Sequence, residues 1–388
     1  MDDASESFRE EGRPDWVEVD LPALVDNFRQ VVRRVGEGVR VWPVVKANAY
    51  GLGALPVAQA LQRAGAAGFC VALVEEGEAL RAGGVTAPLM LLSGPVAGNV
   101  GRVLRIGAEA FLITLDDALA LAGALPAGQR LRVHLKVDTG MGRLGMDPEQ
   151  VPQVLSVLDG LPGIKVAGIA SHLAVADEVD NPGTWRQIER MQALLAHPEV
   201  AWRRLPVSMA NSAGIMAFSE AHFQWVRPGI HLYGGSPFFP AASPAGWEPR
   251  PVVRWCTRVI QVRNMAAGTP LGYGHTVVLQ RPSRIGQLPV GYADGYPRIL
   301  SNRAEVIVGG RRVPVLGRVC MDLVTVDLTD CPDVGVGDEV VLLGGHGPLA
   351  ISLEEMSAWM GTIPYEVLCR LGARVPRRYR EFPVATGM

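Results

Sequence analysis

Only three lysines occur in the chain, Lys46, Lys136 and Lys165, and the other 34 basic residues are arginine. Codon bias toward Arg, Ala and Gly explains the scarcity, but it makes each remaining amine conspicuous. Arginine stays protonated and is a poor amine nucleophile, whereas lysine titrates and forms Schiff bases. Lys46 closes the apolar run Val44-Val45 and precedes Ala47-Asn48-Ala49-Tyr50-Gly51. A lysine ending a buried strand is partly desolvated, which lowers its pKa and suits Schiff-base chemistry. A lysine snorkelling out at a strand end fits the same position.

Other polar residues follow apolar runs in the same way. Lys136 and Asp138 end residues 131–137, and His172 follows 166–171. Asn211 and Ser212 follow 207–210, and Arg227 with Gly229 ends 225–227. Asn211-Ser212-Ala213-Gly214 offers a hydroxyl and backbone N–H groups for a phosphate dianion, or an ordinary helix cap. Phosphate and a strand-end lysine together point to pyridoxal phosphate (PLP). Arg227 would suit the pyridine nitrogen and keep it unprotonated; a surface salt bridge is the plainer alternative. His172 reads equally as a satisfied core imidazole. The histidines lack metal-ligand spacing, so no metal is expected.

Elements must position these groups. Runs at 41–45, 68–73, 89–92, 110–114, 131–137, 166–171, 207–210 and 225–227 are short and apolar without alternation, as strands buried on both faces are. Helical spacing lies between several of them: 21–35 with Asp20 as N-cap, 54–64, 151–158 and 188–196. The expected fold class is α/β, an N-terminal (β/α)8 TIM-type barrel followed by a mostly-β C-terminal domain. A doubly wound open sheet is the alternative, but it calls for a Gly-rich turn where Lys46 stands. Beyond about residue 251 the texture becomes strands at 252–262, 285–290, 305–308, 312–316, 323–328 and 339–343. Gly309-Gly310 signals a hairpin, and one clear helix is expected at 353–359. Residues 16–20 are candidates for joining this second domain. The expected division is 15–248 and 249–388, with the acidic residues 1–14 outside the barrel.

Bulk properties narrow the partners. Of 388 residues, 37 are Lys or Arg and 39 are Asp or Glu, a formal charge of −2, which argues against nucleic acid or an anionic membrane. Five cysteines without C-x-x-C spacing suggest neither a disulfide framework nor a thiolate metal site. No signal peptide or membrane-spanning run is read, so a cytoplasmic protein is expected.

The ordered motifs carry a family resemblance. Val44-Val45-Lys46-Ala47-Asn48-Ala49-Tyr50-Gly51 resembles the PLP-attachment signature of alanine racemases. Leu135-Lys136-Val137-Asp138-Thr139-Gly140-Met141-Gly142-Arg143, Ser171-His172, Ala210-Asn211-Ser212, Arg227-Pro228-Gly229-Ile230 and Gly272-Tyr273-Gly274 follow in family order. So do Gly291-Tyr292-Ala293-Asp294-Gly295, Gly317-Arg318-Val319-Cys320-Met321-Asp322 and Ile363-Pro364-Tyr365-Glu366. The resemblance implies a homodimer with shared active sites that interconverts L- and D-alanine for peptidoglycan synthesis. Lys46 would hold PLP and serve as one base; Tyr273 of the other subunit would be the second, on the opposite face of Cα. Tyr50, His172, Asn211, Ser212, Arg227, Gly229, Ile230 and Tyr365 would surround the cofactor. Arg143 and Met321 would meet the substrate carboxylate, with Arg143 also bonding the Tyr273 phenolic oxygen. Tyr292, Arg298 and Asp322 would lie at or behind the access channel. Lys136 would be carbamylated by CO2 and orient Arg143; an unmodified lysine paired with Asp138 is the alternative. Leu52, Ser208 and Gly272 depart from the family pattern, which puts tuning of the site in doubt and not the reaction. A serine or broad-specificity racemase, a PLP-homeostasis barrel and a barrel-type decarboxylase are the other readings. The last two lack either this second domain or these motifs.

Overall fold

The computed structural model describes residues 13–94, 97–244 and 246–380. Residues 1–12 of the acidic start lie outside the described residues. The chain divides into two units, one of residues 25–232 and 241–249, the other of residues 1–24, 233–240 and 250–388.

The first unit is a ring of parallel strands. After β1 (Trp16–Asp20), which belongs elsewhere, come β2 (Arg40–Val41), β3 (Phe69–Val71), β4 (Leu89–Leu91) and β5 (Ala108–Leu112). They are followed by β6 (Leu131–Lys136), β7 (Ile164–Ala170), β8 (Val207–Ser208) and β9 (Trp225–Val226). Their order is β2-β9-β8-β7-β6-β5-β4-β3. The two ends meet where Val44 bridges Cys70 in parallel, with Val45 N donating to Cys70 O at 2.9 Å and Cys70 N to Pro43 O at 2.9 Å. Closure of this TIM-like sheet rules out the open doubly wound alternative.

The first expected strand, 41–45, is shorter than read because Pro43 has no N–H to give the ladder. The helix Leu21–Val35 forms where its apolar spacing put it, and Asp20 Oδ1 accepts from Ala23 N at 2.8 Å as its cap. Helices Ala54–Arg63, Val151–Asp159 and Gly183–Ala196 match expected ones, while Val74–Ala82, Val100–Arg105 and Leu115–Ala124 complete the alternation. Inside the ring, Trp225 packs against Trp42 and His134 with ring centroids 5.4 and 5.3 Å away. This aromatic layer floors the polar residues at the strand ends.

The second unit is mostly β. Its strands are β10 (Val253–Arg258), β11 (Gln261–Met265), β12 (Pro270–Leu271), β13 (Val277–Val278), β14 (Ser283–Leu288) and β15 (Glu305–Val308), then β16 (Arg311–Pro314), β17 (Val324–Asp327), β18 (Glu339–Leu343) and β19 (Arg377–Arg380). A six-stranded sheet runs β16-β15-β18-β10-β1-β19, beside the three-stranded β11-β14-β17. β1 pairs with β10 antiparallel and with β19 parallel, so residues 16–20 do join this sheet. Gly309 and Gly310, at φ 56° and 70°, form the two-residue turn joining β15 to β16, where Val308 faces Arg311. That left-handed pair is what a twisted two-residue hairpin requires. Helix Leu353–Met360 covers the expected 353–359. Among the described residues, no helix is long and apolar enough to cross a membrane.

Candidate active site

Lys46 follows the Val44 bridge that closes the ring, half-buried at a strand end. The chain then makes a left-handed turn: Ala47, Asn48, Ala49 and Tyr50 have φ between 52° and 54°. Ala49 N donates to Val45 O at 2.9 Å and Gly51 N to Ala47 O at 2.8 Å. Left-handed helical conformation costs L-residues about 1–2 kcal/mol each. Such strain persists only where surrounding structure enforces it, and it concentrates at functional sites. Asn48 Oδ1 accepts from Ala54 N at 2.8 Å and ties the turn to the following helix.

The same turn delivers Tyr50 inward. Its ring is buried, and a Cβ built on Gly229 would lie 2.5 Å from the Tyr50 hydroxyl. Only glycine lets the Tyr50 hydroxyl come that close to the backbone. Gly229 N donates to Ser212 Oγ at 2.9 Å, so two hydroxyls and a backbone amide converge there. Ile230 is fully buried beside them. Asn211 behaves as the helix cap that its type allowed: its Oδ1 accepts from Gly214 N at 2.9 Å and its Nδ2 donates to Leu173 O at 3.3 Å. Tyr50, Ser212 and Gly229 therefore bring two hydroxyls and a backbone amide together at one point near the strand ends.

Arg227 is buried at the end of β9. It donates to Ser208 Oγ, to Ser171 O at 2.6 Å and to His172 Nδ1 at 3.3 Å, and its guanidinium lies 5.4 Å from the Trp225 ring. This is no surface ion pair. Because arginine only donates, His172 Nδ1 accepts and the neutral ring carries its proton on Nε2. Burial, then the charges of Arg227, Lys136, Arg143 and Lys46, push His172 well below its ordinary pKa. Ser208, one of the three departures from the family pattern, is an acceptor for Arg227. Burial lowers Arg227 itself to about 10.

Lys136 is buried at the end of β6 with its Nζ 3.5 Å from Val137 O. Burial, with Arg227 and Arg143 nearby, pulls its pKa down to about 7; Asp138 opposes the shift. Among the described residues no ion pair joins Lys136 to Asp138. The Asp138 carboxylate instead accepts from Gly140 N at 2.9 Å, Met141 N at 2.7 Å and Gly142 N at 2.8 Å. Burial raises the Asp138 pKa, but these backbone donors and that of Arg143 outweigh it. The loop they shape closes through Asp138 N to Met146 O at 2.9 Å and Met146 N to Lys136 O at 2.9 Å, and it presents Arg143 exposed.

Tyr273, Tyr292, Arg298, Met321, Asp322 and Tyr365 all belong to the second unit. Tyr273 is 70% exposed and Met321 54%. Tyr292 N donates to Cys320 O at 3.1 Å and Ala293 N to Met321 O at 3.0 Å, so the two motifs are clasped together. Asp322 is held by Arg374 at its carboxylate.

Some residues that shape the site carry no sequence signal. Gln187 is buried and donates to His172 O at 2.9 Å and Thr139 Oγ1 at 3.3 Å, while accepting from Ala174 N at 2.8 Å. Thr139 and Ser171 share a 2.7 Å bond between their hydroxyls. This network ties the ends of β6 and β7 together. A polar residue on a helix facing the ring was the one available clue.

The geometry defines a class of protein: a TIM-like barrel whose strand ends bring together an amine, two hydroxyls and a buried guanidinium. Comparison with known proteins narrows it. Residues 19–237 match the family described as Alanine racemase, N-terminal domain, and residues 252–379 its C-terminal domain. A protein named alanine racemase from Symbiobacterium thermophilum is 45% identical over 372 residues, 95% of this chain and 97% of that one. Another from Halothermothrix orenii is 39% identical over 95% of this chain and 97% of its own length. The crystal structure of alanine racemase from E. faecalis superposes with a TM-score of 0.89 at 34% identity, covering 96% of this chain and 99% of that one. Alanine racemase from Bartonella henselae, solved with covalently bound pyridoxal phosphate, gives a TM-score of 0.84 at 34% identity over 95% and 99% of the two chains. The chain belongs to the alanine racemase family, and it is an enzyme of the isomerase class.

Proposed function

We propose that this chain interconverts L- and D-alanine with pyridoxal phosphate held covalently on Lys46. The observation that carries the reading is the Tyr50–Ser212–Gly229 cradle on the same strand-end face as Lys46. The absence of a side chain at Gly229 lets the Tyr50 hydroxyl approach Ser212 there, and paired hydroxyls of this kind suit a phosphate. When bound, the cofactor supplies a sink for the electron pair left as the Cα proton departs. Arg227 donates only and cannot take a proton at neutral pH, which matches a hydrogen-bonding partner for an unprotonated ring nitrogen.

The chain's own groups would do the proton work. The Lys46 amine would take or return the Cα proton on one face. Tyr273 from a second copy of the chain would act on the other; the 70% exposure of that side chain supports a role outside its own unit. Arg143 would hydrogen-bond the Tyr273 oxygen and the substrate carboxylate, and the Met321 backbone N–H would meet that carboxylate. Tyr365 would complete the phosphate site, while Tyr292, Tyr365 and Arg298, with Asp322 behind, would narrow the access channel to small side chains. Residues 15–248 would hold the cofactor and residues 249–388 would serve the partner's site. The product would supply D-alanine for peptidoglycan in the cytoplasm.

Lys136 supports its own modification. At a pKa of about 7 a large share of the amine is neutral at physiological pH. The neutral Nζ would attack the carbon of CO2, form an N–C bond and release a proton, leaving a carbamate anion among Arg227 and Arg143. With Asp138 occupied by backbone donors, that anion would supply a counter-charge to those arginines.

Incubation of the PLP-loaded protein with L-alanine in deuterium oxide tests the reading. Deuterium should appear at Cα in both enantiomers; alanine recovered fully protonated at Cα would contradict it.

A further inference from the structure

One carboxylate reaches from a neighbouring strand end to the residue beside Lys46. Glu76 lies in the first turn of helix Val74–Ala82, which follows β3. Its Oε2 accepts from Ala72 N at 2.7 Å and Leu73 N at 3.2 Å, satisfying amides at its own helix start. Its Oε1 accepts from Ala47 N at 2.6 Å. Nothing in helix capping needs that second reach.

We propose that Glu76 is a positioning residue for Lys46, clamping the left-handed turn so that the amine meets the cofactor carbonyl. The peptide plane explains how. The Ala47 N–H lies in one rigid plane with the carbonyl and Cα of Lys46, so holding the N–H restrains that plane and the Lys46 ψ, and thereby the backbone from which the side chain projects. Ala47 is also the first of four left-handed non-glycine residues, a conformation that relaxes toward the right-handed form unless held. Glu76 supplies the holding force from β3, the strand that meets the Lys46 segment at Cys70. The inference rests on the reading of Lys46 as the cofactor lysine.

Glu76→Asp separates clamp from cap, since aspartate still serves a helix start but is one methylene too short to span to Ala47. Glu76→Gln keeps the length and removes one acceptor oxygen. Each purified full-length protein is mixed with PLP, reduced with borohydride after timed intervals and peptide-mapped; three lysines make the map unambiguous. Thermal unfolding of the cofactor-free proteins is followed in parallel. Labelling of Lys46 should slow about tenfold in both variants, the scale of one lost charge-assisted hydrogen bond. The pH at which the visible band of the loaded protein titrates should shift, while Glu76→Asp unfolds within a few degrees of the parent. If the parent labels Lys46 and both variants label at the parent's rate with an unshifted titration, the clamp is overturned. If a variant unfolds early and slows only in proportion to its unfolded fraction, the role is structural and the clamp is equally overturned. If the parent itself does not label at Lys46, the functional reading fails instead.

Discussion

At Lys136, burial and two arginines leave the amine near pKa 7, against an ordinary value of 10.5. Between those values the unfolded chain binds more protons than the folded one, so stability must rise with pH from about 7 to 10.5 and fall as pH drops back through that window. Denaturant melts in CO2-free buffer should show that rise, and Lys136→Met should flatten it; equal slopes would contradict the assignment. With bicarbonate present, native mass should exceed the sequence mass by one CO2, and a bare amine would refute the carbamate. Gly229 offers a second residue-scale test. In Gly229→Ala the new methyl would press on the Tyr50 hydroxyl from 2.5 Å. Overpacking of this kind costs about 1–3 kcal/mol, so PLP affinity should fall about fivefold or more by titration; unchanged affinity would mean that these residues are not the phosphate site. The groups legible in the sequence were those ending apolar runs, such as Lys46, His172 and Arg227. Glu76 and Gln187 were illegible because they act through backbone amides and carbonyls, which any sequence supplies.

Elements were legible where burial on both faces made an uninterrupted apolar run, as in β3 and β4. They were less so where chain geometry intervened: Pro43 cuts β2 short, and β8 lasts two residues before the chain turns toward Asn211. β19 was not anticipated at all. Its Arg-Arg-Tyr-Arg sequence sits on a sheet edge beside β1, with half or more of its side chains exposed, so it carries no hydrophobic signal. The hairpin between β15 and β16 was legible because glycine is at ease at the positive φ its two-residue turn demands. Gly309→Ala should therefore cost about 1–2 kcal/mol, both for its φ of 56° and for a Cβ placed 2.7 Å from Val334. Urea melts check this, and a loss below a few tenths would count against the turn geometry.

Across the whole molecule, the proposed reading divides the chemistry between the two units: Lys46, Tyr50 and Ser212 in one, the exposed Tyr273 and Met321 in the other. A second copy is the partner that would unite them. Mixing inactive Lys46→Ala and Tyr273→Phe proteins under conditions of subunit exchange should restore about a quarter of wild-type activity, since half the dimers would then carry one intact site. No recovery would contradict sharing. The central claim is tested most directly by incubating the PLP-loaded protein with L-alanine and resolving the products by chiral chromatography. The account predicts D-alanine accumulating toward an equal mixture, and its absence in the presence of bound PLP would contradict it.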